Sequence, residues 1–315
     1  MKLVVVTQSV DVNDPVLGAT VPKLRALAER VDELVVLALR IGEHGLPDNV
    51  RVKSIAARTQ LQRGARFAAA LAPEHPDAVL AHMAPIYALL AAPFRAPVLL
   101  WFTHPQDSRL LRAATRVSRV VLTVDERSFP FASPKLRAIG HGIDVQRFVC
   151  TEPVDREPLR ALSLGRFSPV KRYDLIERAV ARVEGIEVDF VGPVLSDADR
   201  RVRHALTNAK DGVEWSKVPE LLTEYDLFIS ATEAGSADKV VLEAAASCLP
   251  VLASTPAFAS LLPDELRFST EDELVARLEA LKAADRGALG RTLRERVVHD
   301  HSVEHWADRV VEAAG

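Results

Sequence analysis

Cysteine is scarce in this chain of 315 residues: Cys150 and Cys248 are the only two. Two thiols supply neither a disulfide framework nor a zinc site, and they fit a reducing cytoplasm. No apolar stretch approaches the roughly 20 residues that span a bilayer. The opening MKLVVVTQSV is too short for a signal-peptide core and reads as a buried first strand. G-x-G-x-x-G is missing after that strand, and neither G-x-x-x-x-G-K-[ST] nor G-x-S-x-G occurs. Dinucleotide, P-loop and nucleophile-elbow chemistry are therefore unsupported. Internal repeats and low-complexity tracts are absent as well.

What remains is ordinary globular composition, 48% hydrophobic and 26% charged. The length suggests about two domains of roughly 150 residues each. The net charge of −3 is unevenly spread. Residues 1–150 hold 19 Lys and Arg against 13 Asp and Glu, net +6, and the remainder holds 21 against 30, net −9. Such asymmetry speaks about partners rather than about fold.

Short apolar runs alternate with amphipathic stretches from end to end. KLVVVT, ELVVLAL, VRVKSI, AVLAHM, PVLLWFT, RVVLTV and KLRAIGHG are strand candidates before residue 150; RALSLGR, IEVDFVG, GVEW, DLFIS, LPVLAS and LRF follow it. Segments 21–31, 173–183, 197–209 and 272–284 carry helical periodicity. The alternation predicts an α/β fold with two parallel, doubly wound, Rossmann-like domains. We place them at 1–150 and 151–300, joined in the proline-broken stretch 147–160. A final helix over 301–315, with Ser302 as N-cap and Trp306 as apolar anchor, would pack back toward the first domain. Two such domains facing a central cleft would present the loops at their strand ends to a ligand.

Two of those loops are chemically pointed. In ATEAGSADKVVLEAAASCLPVLAS, residues 231–254, a polar stretch lies between the apolar run DLFIS and an Ala-rich helical run. A strand-to-helix loop of this kind attracts anions or hydroxyl-rich ligands. In LSLGRFSPVKRYDLIERA, residues 162–179, a strand ends at Gly165, Arg166 follows, and Lys171 precedes a helix. Cations at a helix N-terminus oppose its dipole unless an anion lies between, and an Arg fork with a Lys point charge suits a diphosphate.

GRFSPVK and GSADKVVLEAAASCLPVLAS, with HGIDVQRF (141–148) and WFTHP (101–105), resemble the retaining glycosyltransferases of family 4, of GT-B fold. Those enzymes carry G-R-x-x-x-x-K and an E-x7-E segment ending in LEA. The resemblance implies an enzyme that transfers sugar from a nucleotide-diphosphate sugar to a glycan, small-molecule or lipid-linked hydroxyl acceptor, without cofactor, metal or nucleic acid; the scarce cysteines and the lack of a spanning stretch place it in the cytoplasm. It implies that Arg166 and Lys171, with Gly165, hold the diphosphate, and that Glu243 takes the nucleotide ribose. Gly235, Ser236, Asp238 and Lys239 would face the donor sugar. His104 would face it from the first domain, and His82 and Gly18 would line the acceptor side. One departure stands out. Eight residues before Glu243 is Gly235, so the first glutamate of the pair is missing, and Glu233 lies two residues too early. Either Gly235 offers backbone only, or the sugar contact moves to Asp238. A donor-binding protein without turnover, and a GT-B sugar-nucleotide epimerase, are the alternatives.

Other patterns have plainer readings. HSVEH (301–305) fits a zinc-protease spelling, but Ser302 as a cap leaves His301 outside the helix. Asp197-x-Asp199 follows Ser196 and opens a helix, where acids complement the dipole. His141 is read as structural. Arg109, Arg112, Arg116 and Arg119 recur at spacings of 3, 4 and 3, which gathers them on one helical face. With Arg58, Arg63 and Arg66 they suit an anionic acceptor, or peripheral contact with the anionic inner face of a membrane carrying one.

Overall fold

The computed structural model of the protein describes every residue except Pro15, Asp155 and residues 234–236. By its internal packing the chain forms two compact units: Met1–Asp144 with His301–Gly315, and Val145–Asp300.

The first unit is built on a seven-stranded parallel sheet: β1 (Lys2–Val10), β2 (Glu33–Ile41), β3 (Val50–Ser54), β4 (Ala78–His82), β5 (Val98–Trp101), β6 (Val120–Thr123) and β7 (Leu136–Ala138). Their order is β3-β2-β1-β4-β5-β6-β7. All seven predicted strands of this half are present. The central ones are buried along their whole length, as expected for a sheet covered on both faces. Helices α1 (Thr20–Ala28), α2 (Gln60–Leu71), α3 (Pro85–Ala91) and α4 (Arg109–Val117) supply the covers. Phe67 of α2 meets Tyr87 of α3 at 4.9 Å between ring centroids, over the apolar face made by Val4, Val35, Val79 and Leu100.

The second unit has a five-stranded parallel sheet of order β10-β9-β8-β11-β12. Its strands are β8 (Leu159–Leu164), β9 (Ile186–Gly192), β10 (Ala209–Asp211), β11 (Leu227–Ser230) and β12 (Val251–Ala253). Two of the six predicted strands differ. GVEW is not a strand: β10 ends at Asp211, and Trp215–Lys217 is a 3-10 turn entering α7 (Val218–Leu222). LRF contributes only a single bridge, Ala253 to Arg267. Between and after the strands run α5 (Tyr173–Val180), α6 (Asp197–His204), α8 (Lys239–Ala246), α9 (Glu271–Lys282) and α10 (Arg286–His301).

The last helix, α11 (Val303–Ala314), belongs to the first unit. Ser302 caps it, its Oγ accepting from the His305 amide at 3.4 Å. Trp306 meets Trp101 edge-on at 5.6 Å, and the buried Lys23 ammonium lies 5.1 and 5.2 Å from the two rings. His301 ends α10 while His305 lies in α11, so the two histidines of HSVEH do not share a helix.

The cysteines depart from the sequence reading. Cys150 and Cys248 form a disulfide within the second unit, with their Cα atoms 4.9 Å apart. Separated by 98 residues, they meet beside Arg294 of α10, which donates to the carbonyls of both Phe148 and Ala246. The two cysteine-bearing segments lie side by side there. The argument for a reducing compartment loses its premise. Among the described residues no helix is long and apolar enough to cross a membrane.

Candidate functional site

In the second unit the chain after β8 turns sharply at Gly165, whose φ of +142° favours glycine, with the Lys171 ammonium 3.1 Å from the position a Cβ would take. Tyr173, buried at the start of α5, donates its hydroxyl to the Gly165 carbonyl at 2.9 Å and fixes the turn. Burial, and then the Asp238 carboxylate, push its phenol well above the ordinary range. The tyrosine is thus a neutral donor.

Arg166 follows this turn directly, and Lys171 ends the short 3-10 segment Pro169–Lys171. Both cations meet carboxylates. Arg166 Nε lies 3.8 Å from Asp199, and Lys171 Nζ lies 2.5 Å from Asp238. Ser196 caps α6, its Oγ accepting the Asp199 amide at 3.2 Å, and Asp199 lies in the acidic first turn. Its carboxylate also accepts the Leu195 amide at 2.9 Å. Burial raises its pKa, but those bonds and Arg166 outweigh burial and hold it below the usual value.

Asp238 stands at the N-cap position of α8, yet makes no side-chain capping bond. Its carboxylate is directed to Lys171 and to the Thr232 hydroxyl. A backbone bond from Glu233 N to Val170 O, 2.9 Å, ties the same two loops. GRFSPVK and ADKVVLEA, distant in sequence, therefore form one locus at the carboxyl ends of β8 and β11. Gly235 and Ser236 lie outside the described residues.

One turn into α8 is Glu243, only 1% exposed. Its Oε1 accepts from Trp215 Nε1 at 2.8 Å and faces Lys239 Nζ at 3.1 Å. Oε2 is buried with no hydrogen-bond partner among the described residues. A buried carboxylate oxygen of this kind is costly unless a donor reaches it. Trp215 is held in turn by the Arg147 guanidinium, stacked 3.9 Å from its ring centre, and by Lys239 at 5.2 Å. The sequence reading missed Trp215 and Arg147. The available signal was a lone Trp between Glu214 and Ser216 followed by Pro219, a turn composition rather than a strand.

This locus combines cations, a polar loop and an under-bonded carboxylate at one helix start, which suits an anion joined to a polyol. The frame that carries it is known from solved structures. The chain is similar to sucrose-phosphate synthase from Thermosynechococcus elongatus, with a TM-score of 0.77 at 15% identity over 99% of this chain and 98% of that one. A glycosyltransferase from Rickettsia africae matches with a TM-score of 0.75 at 14% identity, over 99% and 97%. TarM of S. aureus, in complex with UDP and other ligands, matches with a TM-score of 0.63 at 13% identity, over 80% of this chain and 59% of that one. The chain has the GT-B fold. No family model and no curated protein matches it.

The first-unit candidates are separate side chains rather than one cluster. His104 is exposed on the loop after β5, its Nδ1 accepting the Gln106 amide at 3.1 Å. His82, at the end of β4, is buried, stacked on Trp101 at 6.4 Å, with Nδ1 3.1 Å from the Thr7 hydroxyl. Burial, then the Lys23 charge, lower its pKa to about 3, so the ring is neutral. It is a core histidine and lines no surface. Gly18 is buried in the turn before α1, its amide bonded to Asp14 O at 2.9 Å. His141 meets Trp101 edge-on at 6.3 Å.

The arginine stripe is smaller than its spacing suggests. Arg112 is bidentate to Asp107 and stacks 4.4 Å from the Phe131 ring centre. Arg119 lies beyond α4 and reaches the carbonyls of Ala314 and Gly315. Arg109 and Arg116 remain on the exposed face, beside the part-exposed Leu110 and Val117.

Proposed function

We propose that the protein is a glycosyltransferase that moves a sugar from a nucleotide-diphosphate sugar to a hydroxyl acceptor, and that the second unit holds the donor. The observation that carries this reading is the Lys171–Asp238 ion pair, which joins the two loops on a GT-B frame. A diphosphate would exchange these carboxylates for its own oxygens: Arg166 from Asp199, and Lys171 from Asp238. Asp238, exchanged from Lys171, would accept from a sugar hydroxyl. Glu243 Oε2 would accept from a ribose hydroxyl, with Oε1 kept in place by Trp215 and Lys239.

In this reading the acceptor oxygen bonds to the anomeric carbon as the bond to the diphosphate oxygen breaks. The acceptor proton passes to the departing phosphate oxygen on the same face, so the anomeric configuration is retained. His104 faces the sugar. Catalysis rests on charge stabilisation of the leaving group and on positioning. Arg166 and Lys171 supply that charge, so transfer is metal-independent. Gly235 in place of the expected glutamate favours a second reading, donor binding without turnover.

The test is a panel of nucleotide sugars, following thermal stabilisation, slow hydrolysis and transfer. Stabilisation with product supports the transferase. Stabilisation without turnover under any acceptor favours the binding module, and interconversion of the sugar without transfer favours an epimerase. If no nucleotide sugar or nucleoside diphosphate shifts the melting temperature, the assignment is lost.

A further inference from the structure

The first unit carries an arginine-lined groove that the donor reading does not use. It lies over the loop that follows β3 and the start of α2, and reaches the carboxyl-terminal parts of β1 and β2 at Gln8 and Arg40. Its larger part, about 800 Å³, is lined by Ala56, Ala57, Arg58, Gln62 and Arg66 among others. A smaller part of about 270 Å³ shares Ala56 and Ala57 and adds Gln8, Arg40 and Arg63. Ligand pockets usually measure about 300–1,000 Å³, so the groove has room for a sugar bearing a charged group.

The charge balance of the groove is one-sided. Among the described residues Arg58, Arg63 and Arg66 have no carboxylate partner, and Arg40 is paired with Asp14 at 2.9 Å. Arg63 Nε donates to Ala57 O at 2.9 Å, and Arg66 donates to Ala56 O. Those bonds fix two guanidinium groups on the loop that forms the floor. The α2 capping box, Thr59 with Gln62, holds the helix that presents them. Gathering cations in one concavity is unfavourable unless an anion neutralises them, and forked guanidinium groups match phosphate oxygens in pairs.

We propose that this groove binds a phosphate group carried by the acceptor. It deepens the donor reading, on which it rests only for what happens to the bound molecule. The exposed part of α4, Arg109 and Arg116, is then not needed for acceptor recognition. The shared chemistry is a phosphate anion, and its source is either a soluble sugar phosphate or a lipid headgroup.

The experiment uses the full chain carrying Lys171→Ala, so that the donor site does not compete for phosphate. Glucose 6-phosphate, inorganic phosphate and neutral glucose are titrated calorimetrically at low and high salt. Binding to vesicles of phosphatidylcholine, with and without phosphatidylglycerol, is followed in parallel. Arg58→Glu is the main variant, because the Arg58 side chain makes no bond to the loop among the described residues; Arg58→Ser with Arg66→Lys is the second. Expected is salt-sensitive binding of glucose 6-phosphate, none of glucose, and a loss of tenfold or more in Arg58→Glu. Binding confined to phosphatidylglycerol vesicles, and lost in the same variant, supports the groove with a lipid source. Absence of both, or equal binding by Arg58→Glu of unchanged melting temperature, overturns the proposal. UDP binding, measured with native Lys171 and with Arg58→Glu alone, reports on the donor reading independently. If UDP fails to bind while glucose 6-phosphate does, that reading fails and the groove remains a phosphate site.

Discussion

The two units handle positive charge in opposite ways. The second unit, acidic in balance, spends its site cations internally: Arg166 on Asp199, Lys171 on Asp238, Lys239 on Glu243. The first unit, basic in balance, leaves Arg58, Arg63 and Arg66 at its groove without a carboxylate partner among the described residues. Net charge therefore fails to say where an anion binds. A paired cation is held in place and exchanges one anion for another, while an unpaired cluster attracts charge at longer range and loses that attraction as salt rises. The proposed donor site is of the first kind and the proposed acceptor groove of the second.

The sharpest way to break this contrast is Lys171→Ala. If the paired lysine is a preorganised charge for the leaving group, the variant loses about 2–4 kcal/mol of transition-state stabilisation, read as kcat/KM with the best donor of the panel. Its melting temperature changes little, since Asp238 keeps the Thr232 bond. Near-native turnover would remove Lys171 from the site.

A smaller effect distinguishes the carboxylate from its holder. Glu243→Gln keeps volume and removes charge, and it weakens nucleoside diphosphate binding. Trp215→Phe removes one donor to Oε1 and costs about 1 kcal/mol of the same affinity, the scale of a single hydrogen bond. Calorimetry with UDP compares them, with His104→Ala as a variant expected to slow transfer and leave UDP affinity intact. Equal losses in all three would contradict the division of roles.

The first unit also contains a fully paired acid. Burial raises the Glu74 pKa, but bonds from Arg51 and Lys53 outweigh burial and hold it at about 2, against 4.5 ordinarily. A depressed carboxyl contributes stability above the unfolded value, and that contribution fades as pH falls from about 4.5 toward 2. Arg51 and Lys53 are part-exposed, so screening reduces the contribution to roughly 1–2 kcal/mol. Glu74→Gln should lower the urea midpoint at pH 7, with the gap closing as pH approaches 2. A gap independent of pH would assign the loss to packing. The smallest expected effect is that of a chelator: EDTA leaves transfer unchanged if the arginine and lysine supply the charge.

Much of this was legible in the sequence. The alternation of strand and helix patterns, the caps at Ser196 and Ser302, and the strand-to-helix loops are local properties, set by side-chain period and by amides left open at helix ends. Twelve of the thirteen predicted strand runs contact a sheet, counting the lone bridge at Arg267, and only GVEW proved a turn. The candidate site was legible as two motifs, while its bonds were not. Nothing in GRFSPVK says that Lys171 pairs with Asp238, 67 residues away. Nothing in GVEW says that its indole meets Glu243. His82 is expected on the acceptor side, while its packing against Trp101 and Thr7 buries it in the core.

By itself, then, the sequence determined an α/β chain with two sheets, the loops that carry its polar chemistry, and the absence of nucleotide motifs of other kinds. Tertiary structure decided which of those residues meet. It joined Cys150 to Cys248 beside Arg294. It returned residues 301–315 to the first unit, which brings 1 Arg against 3 acids and, with Arg147 now in the second unit, changes +6 and −9 into +3 and −6. It tied up Arg112 and Arg119 of the stripe and gathered Arg58, Arg63 and Arg66 at one groove instead. The reason is one of range. Periodicity, capping and turn chemistry act over a few residues and can be read in order, whereas ion pairs, buried carboxylates and clefts depend on segments that only the packed fold makes neighbours.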